Sequence, residues 1–268
     1  MTITGHTKLF GILANPVAHV RTPRVFNEFF AARGIDAVLV PFEVSPENLP
    51  RLLDGLRATT NFAGFVATIP HKTAMVSLCD EVSRTAQLIG AANTVRRDPD
   101  GRLIATMFDG LGFVAGLRLE GHEPRGERVY LAGAGGAASA IAFAIAEAGA
   151  ARLTIYNRTT AKAADLAARV HDAYPGTETA VGTTDPSGHD IVINGTSLGL
   201  KPGDALPFDV DRLTPAVLVA EVIMIPETTA LLAAATARGC PIHLGRHMLD
   251  EQIRIMAEYI LGPDAAKG

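Results

Sequence analysis

The chain has 268 residues, of which 48% are hydrophobic and 19% charged, so it can bury a sizeable core and does not have the composition of a disordered protein. Its net charge of −4 offers no electrostatic attraction to nucleic acid or to an anionic membrane, and no segment approaches the roughly 18 apolar residues of a membrane span. The two cysteines lack metal-ligand spacing and are too few for a disulfide framework, and the N-terminus lacks a signal-peptide pattern, which together indicate a reducing cytoplasm.

The first quarter of the chain alternates predicted strands with predicted helices. Apolar runs at residues 8–13, 36–42 and 62–66 predict strands. Thr22 and Ser45 are each followed by proline, so we expect each to cap a helix with the proline at its first position, and we expect the first helix to run to Gly34. Strands that alternate with helices at this spacing indicate βαβ units and a mostly parallel sheet.

Between residues 67 and 112 the regular pattern weakens and polar residues collect in three clusters, at 68–72, 90–94 and 108–110. Each cluster follows a predicted strand or precedes a helix. In an open α/β sheet the ligand binds beyond the carboxyl ends of the strands. We therefore expect these clusters to border a ligand crevice, with a domain boundary between residues 106 and 109.

Residues 128–149 predict a strand, a tight turn and a long alanine-rich helix. Gly133 would make the turn, Gly135 would let the backbone approach a pyrophosphate, and the small residues at 136–138 would let helix and strand pack closely. An ordinary strand-to-helix turn is the alternative. A further strand at 152–156 would close a βαβ unit.

The end of that strand indicates which dinucleotide would bind. NAD-binding units usually place an acidic residue about 20 residues beyond the glycines, where it holds the ribose hydroxyls. Here Asn157 stands near that distance, and Arg158, Thr159 and Lys162 follow it. Because a nearby cation accommodates a 2′-phosphate, the sequence favours NADP, with a solvated strand end as the alternative.

The remainder predicts strands at 190–194, 217–220 and 242–244 and helices at 226–238 and 248–261, of which we expect the last to return to the first domain. Nine motifs occur in order along nearly the whole chain, and together they make it resemble the shikimate dehydrogenases and their quinate-dehydrogenase-like relatives. The motifs lie at residues 15–27, 64–72, 90–94, 109–113, 133–138, 157–159, 194–199, 226–228 and 245–252.

The resemblance implies an α/β enzyme of two domains with the active site in the cleft. Residues 1–107 and 246–268 would form the substrate-binding catalytic domain, and residues 108–245 a Rossmann-type NADP-binding domain. Such an enzyme moves a hydride reversibly between the nicotinamide and a ring alcohol or ketone in aromatic amino acid biosynthesis. Because a proton must leave the alcohol as the hydride does, Lys72 and Asp109 would form the acid/base pair, the alternatives being a surface lysine and a helix N-cap.

The resemblance also implies two sets of binding residues and no metal ligand. The substrate residues would be Val20, Thr22, Thr68, Asn93 and Gln252. The cofactor residues would be Gly133, Ala134, Gly135, Gly136, Ala137, Asn157, Arg158, Thr159, Lys162, Thr196, Gly245 and Met248. The expected partner is a small ring alcohol, with no nucleic acid and no membrane, and the protein would be a monomer or a homodimer.

The chain departs from the family pattern where the family binds the substrate carboxylate. A Ser-x-Ser pair is replaced by Val20 and Thr22, and a tyrosine late in the nucleotide domain by Met224. The family's asparagine two residues before Thr68 is Val66 here, and its Asn-Thr pair before the catalytic aspartate is Met107-Phe108. A buried carboxylate without hydrogen-bond partners could cost several kcal/mol, so we expect retained redox chemistry with altered carboxylate recognition and weak activity on shikimate.

Three other interpretations remain open at this stage. Arg21 or His19 could supply a charged replacement for the lost hydroxyls. A catalytically silent protein of the same fold could use the site to sense NADP or a ligand. A methylene-tetrahydrofolate dehydrogenase would share the general arrangement, but it would not explain Asn93, Asp109 and Gln252 together.

Overall fold

The computed structural model describes residues 2–18 and 20–262, and within them the chain divides into two compact units. Unit 1 contains the described residues up to Phe108 and those from Ile253 onward, and unit 2 runs from Asp109 to Gln252. The division thus comes at residue 252, where the sequence predicts 245. The assignment of substrate binding to unit 1 and nucleotide binding to unit 2 stays a prediction.

Unit 1 contains a mixed sheet with the strand order β2-β1-β3-β5-β6-β4. Its strands are β1 (Lys8–Ala14), β2 (Ala37–Glu43), β3 (Phe62–Ala67), β4 (Glu81–Val82), β5 (Thr94–Arg97) and β6 (Leu103–Thr106). β1 runs parallel to β2 and β3, and β4 parallel to β6, whereas β5 runs antiparallel to β3 and β6. The three predicted strands are present, and the β5–β6 hairpin was not predicted.

The helices of unit 1 are α1 (Thr22–Ala32), α2 (Leu49–Ala58), α3 (Met75–Leu78) and α4 (Arg84–Ile89). Phe26 and Phe30 of α1 are fully buried, and the Phe30 ring lies 5.1 Å from that of Phe10 in β1. This aromatic contact fixes the helix against the sheet.

Both predicted helix caps are wrong in detail. Thr22 is already the first residue of α1, whose N-cap position is Arg21 without a side-chain cap, and α1 ends at Ala32 rather than Gly34. Ser45 does occupy an N-cap position before Pro46, but of a 3-10 helix, Pro46–Asn48, that leads into α2. Its hydroxyl accepts a hydrogen bond from the Asn48 side chain at 3.3 Å rather than from a backbone amide.

Unit 2 contains a sheet in which all strands are parallel, in the order β12-β11-β10-β7-β8-β9. The strands are β7 (Arg128–Ala132), β8 (Arg152–Tyr156), β9 (Glu178–Val181), β10 (Ile191–Asn194), β11 (Leu218–Glu221) and β12 (Ile242–His243). This order reverses direction between β7 and β10, as in doubly wound nucleotide-binding folds, where the ligand lies beyond the carboxyl ends of the strands at that point.

The helices of unit 2 are α5 (Asp109–Leu119), α6 (Gly136–Glu147), α7 (Thr160–Ala173) and α8 (Ala230–Ala237), and α9 (Arg246–Leu261) begins in unit 2 and continues into the residues of unit 1. α8 begins at Ala230 rather than at the predicted residue 226, because Thr229 caps it by accepting a hydrogen bond from the backbone N of Leu232. α6 is buried on nearly all sides, which its run of small residues permits. Among the described residues, none of the helices combines the length and apolar character needed to cross a membrane.

Candidate functional site

Gly133 makes the turn between β7 and α6 in a conformation that favours glycine. Its φ is +118°, and a Cβ there would lie 2.9 Å from the carbonyl of Gly195. Its backbone N donates to the carbonyl oxygen of Tyr156 at 2.7 Å. The strand end, the turn and the neighbouring loop are therefore fixed together.

The two glycines that follow leave open space at the N-terminus of α6. Gly135 occupies the N-cap position with extended backbone, and a Cβ at Gly135 or Gly136 would meet no atom within 4 Å. Close packing of the helix on the strands comes instead from Ala138, whose Cβ would lie 2.9 Å from a Cβ at Gly195. The predicted packing role of Gly136 is wrong, since that residue is exposed. An open helix N-terminus of this kind fits a pyrophosphate.

A cavity of about 530 Å³ lies in unit 2 beside this turn. It is lined by predicted cofactor residues and by others that the sequence did not assign to the cofactor. The predicted ones are Gly133, Ala134, Gly135, Asn157, Arg158, Thr159, Lys162 and Thr196; the others are Tyr156, Thr184, Ser197, Leu198, Leu206, Pro207, Phe208 and Asp209. Gly136, Ala137, Gly245 and Met248 are not among the lining residues, and their role stays a prediction.

The charge at the end of β8 suits a phosphate. Arg158 and Lys162 are exposed cations on the cavity lining, and the Asn157 amide donates to the carbonyl oxygen of Thr159 at 3.1 Å, which shapes the turn that carries them. The carboxylate among the lining residues is Asp209, which accepts a hydrogen bond from the backbone N of Asp211. Cations at this strand end fit the 2′-phosphate of NADP.

In unit 1, the structure brings together Thr68, Lys72 and Asn93 at the end of β3. The backbone N of Ala67, beside Thr68, donates to the carbonyl oxygen of Asn93 at 2.8 Å. The carbonyl oxygen of Lys72 accepts from the backbone N of Ala92 at 2.9 Å. Three of the predicted site residues thus lie near the carboxyl end of β3.

The Asn93 side chain is buried and its orientation is fixed. Only 2% of the residue is exposed, and its Oδ1 accepts hydrogen bonds from the Thr94 hydroxyl and from the backbone N of Phe108, both at 3.0 Å. Because two donors face the amide oxygen, the amide nitrogen must point the other way.

In unit 2, the Gln252 amide donates to Oδ1 of Asp109 at 2.6 Å, and both residues are buried. Asp109 is the first residue of α5 rather than a cap in front of it. Glycines on α5 bring the helices together: a Cβ at Gly112 would lie 2.8 Å from the Met248 carbonyl oxygen, and a Cβ at Gly110 would overlap the carbonyl oxygen of Ala140. These approaches place the carboxylate and the amide within reach of each other.

The positions that depart from the family pattern divide by exposure. Val66 and Met107 are 6% and 2% exposed and belong to the interior of unit 1. Phe108 packs edge-on against Tyr259, with ring centroids 5.3 Å apart. Val20 and Thr22 are half-buried, while Met224 is exposed. His19 lies outside the described residues. Within the described part, no cluster of His, Cys, Asp or Glu could hold a metal ion.

The cavity-lining residues that the sequence did not predict lie mainly in loops after strands. Thr184 follows β9, and Leu206, Pro207, Phe208 and Asp209 lie in the long connection between β10 and β11. The sequence did offer one signal for these residues. The connection follows a predicted strand of a Rossmann unit, and ligands bind beyond the ends of such strands. Which of its residues face the cavity depends on a loop conformation that no local pattern sets.

Two family models match the chain. Residues 12–95 match the shikimate dehydrogenase substrate binding domain, and residues 118–198 match shikimate / quinate 5-dehydrogenase. A shikimate dehydrogenase (NADP(+)) of Rubrobacter xylanophilus is 40% identical over 92% of this chain and 88% of its own length.

Solved structures of high similarity include two with different substrates in their descriptions. A ligand-free 5-ketofructose reductase of Gluconobacter superposes with a TM-score of 0.89 at 36% identity, covering 98% of both chains. A shikimate 5-dehydrogenase of Listeria monocytogenes in complex with shikimate and NAD gives a TM-score of 0.91 at 32% identity, covering 100% of this chain and 97% of that one.

Proposed function

This chain belongs to the shikimate and quinate dehydrogenase family, and on that premise we propose that it acts on a polyhydroxylated ketone or alcohol that carries no carboxylate. It is an NADP-dependent oxidoreductase of the shikimate 5-dehydrogenase type, as its curated relatives are. The proposal concerns the substrate. The sequence predicts altered recognition of the substrate carboxylate, and we propose more specifically that the substrate is neutral.

The observation that carries the proposal is the apolar character of positions where the family has amides. Val66 and Met107 are buried among the apolar residues of unit 1. A carboxylate bound beside them would lose its hydration without gaining the hydrogen bonds that the family pattern provides. The desolvation of an unpaired charged group costs several kcal/mol, so a neutral substrate is favoured by orders of magnitude.

The structural relatives also support a substrate without a carboxylate. The Gluconobacter protein is named as a reductase of 5-ketofructose, a neutral polyhydroxylated diketone, and it aligns with 98% of this chain at 36% identity. The Listeria protein, described with bound shikimate, aligns as fully at 32% identity. The overall fold therefore accommodates both kinds of substrate, and the residues of the subsite must decide between them.

The chain offers residues for each part of the proposed reaction. NADPH bound against the Gly133 turn, with its 2′-phosphate toward Arg158, would supply the hydride. Lys72 and Asp109 would deliver the proton that the carbonyl oxygen needs when the carbon gains the hydride, so that the ketone becomes an alcohol. Gln252 holds Asp109 by its hydrogen bond, and Asn93 and Thr68 would bind neighbouring hydroxyls.

The test is a comparison of substrates by absorbance of NADPH. We expect kcat/KM for 5-ketofructose with NADPH to exceed that for the ketone derived from shikimate by at least about 100-fold. As a matched change, Val20→Ser combined with Met224→Tyr restores two hydroxyl donors and should shift this ratio toward the shikimate ketone. A micromolar KM for the shikimate ketone in the unmodified protein would overturn the proposal. Tight NADPH binding without turnover of any compound would instead favour the sensor interpretation.

A further inference from the structure

A buried carboxylate lies at the carboxyl end of β11, outside the cavity lining. Glu221 has no exposed surface, and burial raises the pKa of its carboxyl group, although its hydrogen bonds act in the opposite direction. The two carboxylate oxygens accept hydrogen bonds from the Asn194 amide at 3.0 and 3.1 Å and from the Thr229 hydroxyl at 3.0 Å. The backbone N atoms of Val222 and Ile223 also donate to it, at 2.9 and 3.2 Å.

Asn194 connects this carboxylate to the wall of the cavity. Its Oδ1 accepts hydrogen bonds from the backbone N of Thr196 at 3.0 Å and from the Thr196 hydroxyl at 2.7 Å, while its Nδ2 also donates to the carbonyl oxygen of Leu198 at 3.0 Å. The backbone N of Leu198 in turn donates to the Thr196 hydroxyl at 3.0 Å. Thr196, Ser197 and Leu198 all line the cavity. The conformation of this wall therefore depends on which way the Asn194 amide faces.

An ionised carboxylate can only accept hydrogen bonds, so it determines that orientation. The NH2 group of Asn194 must face Glu221, and Oδ1 must then face the backbone N of Thr196. A flipped amide would place its oxygen against the carboxylate and its NH2 against the Thr196 N–H, which loses both interactions. Buried hydrogen bonds to a charged group are stronger than those between neutral groups.

We propose that Glu221 is a positioning residue for nucleotide binding, which holds the cavity wall at 196–198 in place through the Asn194 amide. This rests on the proposed assignment of the cavity to NADP(H). Glu221 does not touch the cavity itself, so its effect passes through Asn194. Its negative charge is the essential property, because every group that faces it is a donor.

The test compares one substitution that keeps the size of the side chain with one that keeps its charge. Glu221→Gln keeps the shape but brings an NH2 group toward donors, whereas Glu221→Asp keeps the charge. We expect Glu221→Gln to weaken NADPH binding and raise its KM by at least about tenfold, with kcat at saturating NADPH within about threefold of the unmodified protein. Glu221→Asp should recover binding to within about threefold. Because the chain has no tryptophan, binding is followed by NADPH fluorescence or by calorimetry.

Asp190→Asn serves as the matched control, since Asp190 lies just before the other end of β10 and bonds Arg128 rather than the cavity wall. It should leave the Kd for NADPH unchanged. Equal Kd values for Glu221→Gln and the unmodified protein would overturn the proposal, and so would equal losses in Glu221→Gln and Glu221→Asp. If Glu221→Gln does not fold, Thr229→Val removes one donor from the carboxylate while Thr229→Ser retains it; binding that is the same in both would also overturn it.

The Kd measurements need no ketone substrate, so the binding part of the test stands apart from the substrate proposal. The cavity assignment has its own check in Arg158→Ala. If that change leaves NADPH binding intact, the cavity assignment fails, whatever the result at Glu221.

Discussion

The hydrogen bond between Gln252 and Asp109 shows how this chain accommodates a carboxylate in a buried position. The amide N–H meets Oδ1 at 2.6 Å, and the residues are 7% and 4% exposed. A buried carboxylate needs such a donor, because burial without one carries a desolvation cost of a few kcal/mol or more. Lys72 lies half-buried in unit 1 and is the other half of the proposed acid/base pair.

We predict that Lys72→Met and Asp109→Asn each lower kcat by at least about 100-fold, because each removes a group that would exchange a proton with the substrate oxygen. The Kd for NADPH should change little, since neither residue lines the cavity. Steady-state assays on the active substrate, with binding measured separately, check this. Lys8→Met, at the start of β1, is the control and should retain full activity. A loss smaller than about tenfold would argue against the assigned role.

Arg158 is predicted to set the cofactor preference. Without its guanidinium, a 2′-phosphate would lose a charge-assisted hydrogen bond of about 1.5–3 kcal/mol, so Arg158→Ala should reduce kcat/KM for NADPH by about 10- to 100-fold and leave that for NADH nearly unchanged. Arg169→Ala on α7, where the arginine bonds Asp165 at 2.9 Å, serves as the surface control. Equal losses with both nucleotides would show that Arg158 does not contact the 2′-phosphate.

At the scale of elements, helix α5 has glycine at its closest backbone approaches to neighbouring helices. A Cβ at Gly116 would lie 3.0 Å from the His247 backbone, and those at Gly110 and Gly112 would meet Ala140 and Met248. By contrast, a Cβ at Gly55, on the exposed side of α2, would meet nothing within 4 Å. The same residue type is therefore required in one helix and dispensable in another.

We predict that Gly110→Ala lowers the free energy of unfolding by at least about 2 kcal/mol, because the added methyl meets rigid backbone. Gly55→Ala should raise it by about 0.5–1 kcal/mol, because alanine favours the helix and finds free space. Denaturant unfolding of both variants and of the parent protein measures these two changes in the free energy of unfolding. The expectation fails if Gly110→Ala is as stable as the parent protein.

His243 in β12 provides a pH-dependent prediction. It is 1% exposed, and within the described part of the chain neither ring nitrogen has a hydrogen-bond partner. Burial, with smaller effects from His247 and His122, lowers its pKa to about 4. In the unfolded chain this histidine binds a proton as the pH falls below about 6.5, whereas in the folded protein it stays neutral until about pH 4. The free energy of unfolding is therefore unaffected by this group above about pH 6.5 and decreases as the pH falls toward 4.

His243→Leu should remove much of this decline, which amounts to about 2–3 kcal/mol for one group between these pH values. Denaturant unfolding at pH 7 and pH 4.5 measures it, with His6→Leu, an exposed histidine, as the control. If the two variants show the same dependence on pH as the parent, His243 is not the group responsible.

The sequence predicted elements that lie between clear turns better than the others, whatever their length: the two-residue β12 was predicted, whereas the 14-residue α7 was not. Strand β8, with five residues between clear turns, has the bounds that the apolar run predicts. The hairpin of β5 and β6 was missed, because each strand has four residues and Arg96 and Arg97 interrupt the apolar pattern. Arg97 is half-buried and bonds the carbonyl oxygen of Arg57, a contact distant in sequence that no local pattern indicates.

At the scale of the whole molecule, the candidate nucleotide cavity lies entirely within unit 2. Most motif residues of that cavity could be predicted because they follow one another in and directly after a single βαβ unit, and Thr196 because it belongs to the separate motif at 194–199. The wall at 206–209 could not, because its position depends on how a long connection folds over the sheet. The substrate residues divide between the two units, so their predicted meeting stays a prediction.

We expect NADPH to stabilise unit 2 directly. At about 100 times its Kd, a ligand that binds only the folded state adds about 2.7 kcal/mol to the free energy of unfolding. Hydrogen exchange should show protection centred on the Gly133 turn, Arg158 and Thr196. Protection confined to residues 2–108 would contradict the proposed location of the nucleotide.

The glycines of α5 bear on how this protein could be redesigned for another substrate. A saturation library at Gly110, Gly112 or Gly116 would return few folded members, because backbone occupies the space that any side chain would need. Val20 is half-buried and Met224 is exposed, so libraries at these positions should return mostly folded proteins. Sequence diversity can thus be confined to the loops while the helix that carries Asp109 is left unaltered, which separates the search for a new specificity from the risk of losing the fold.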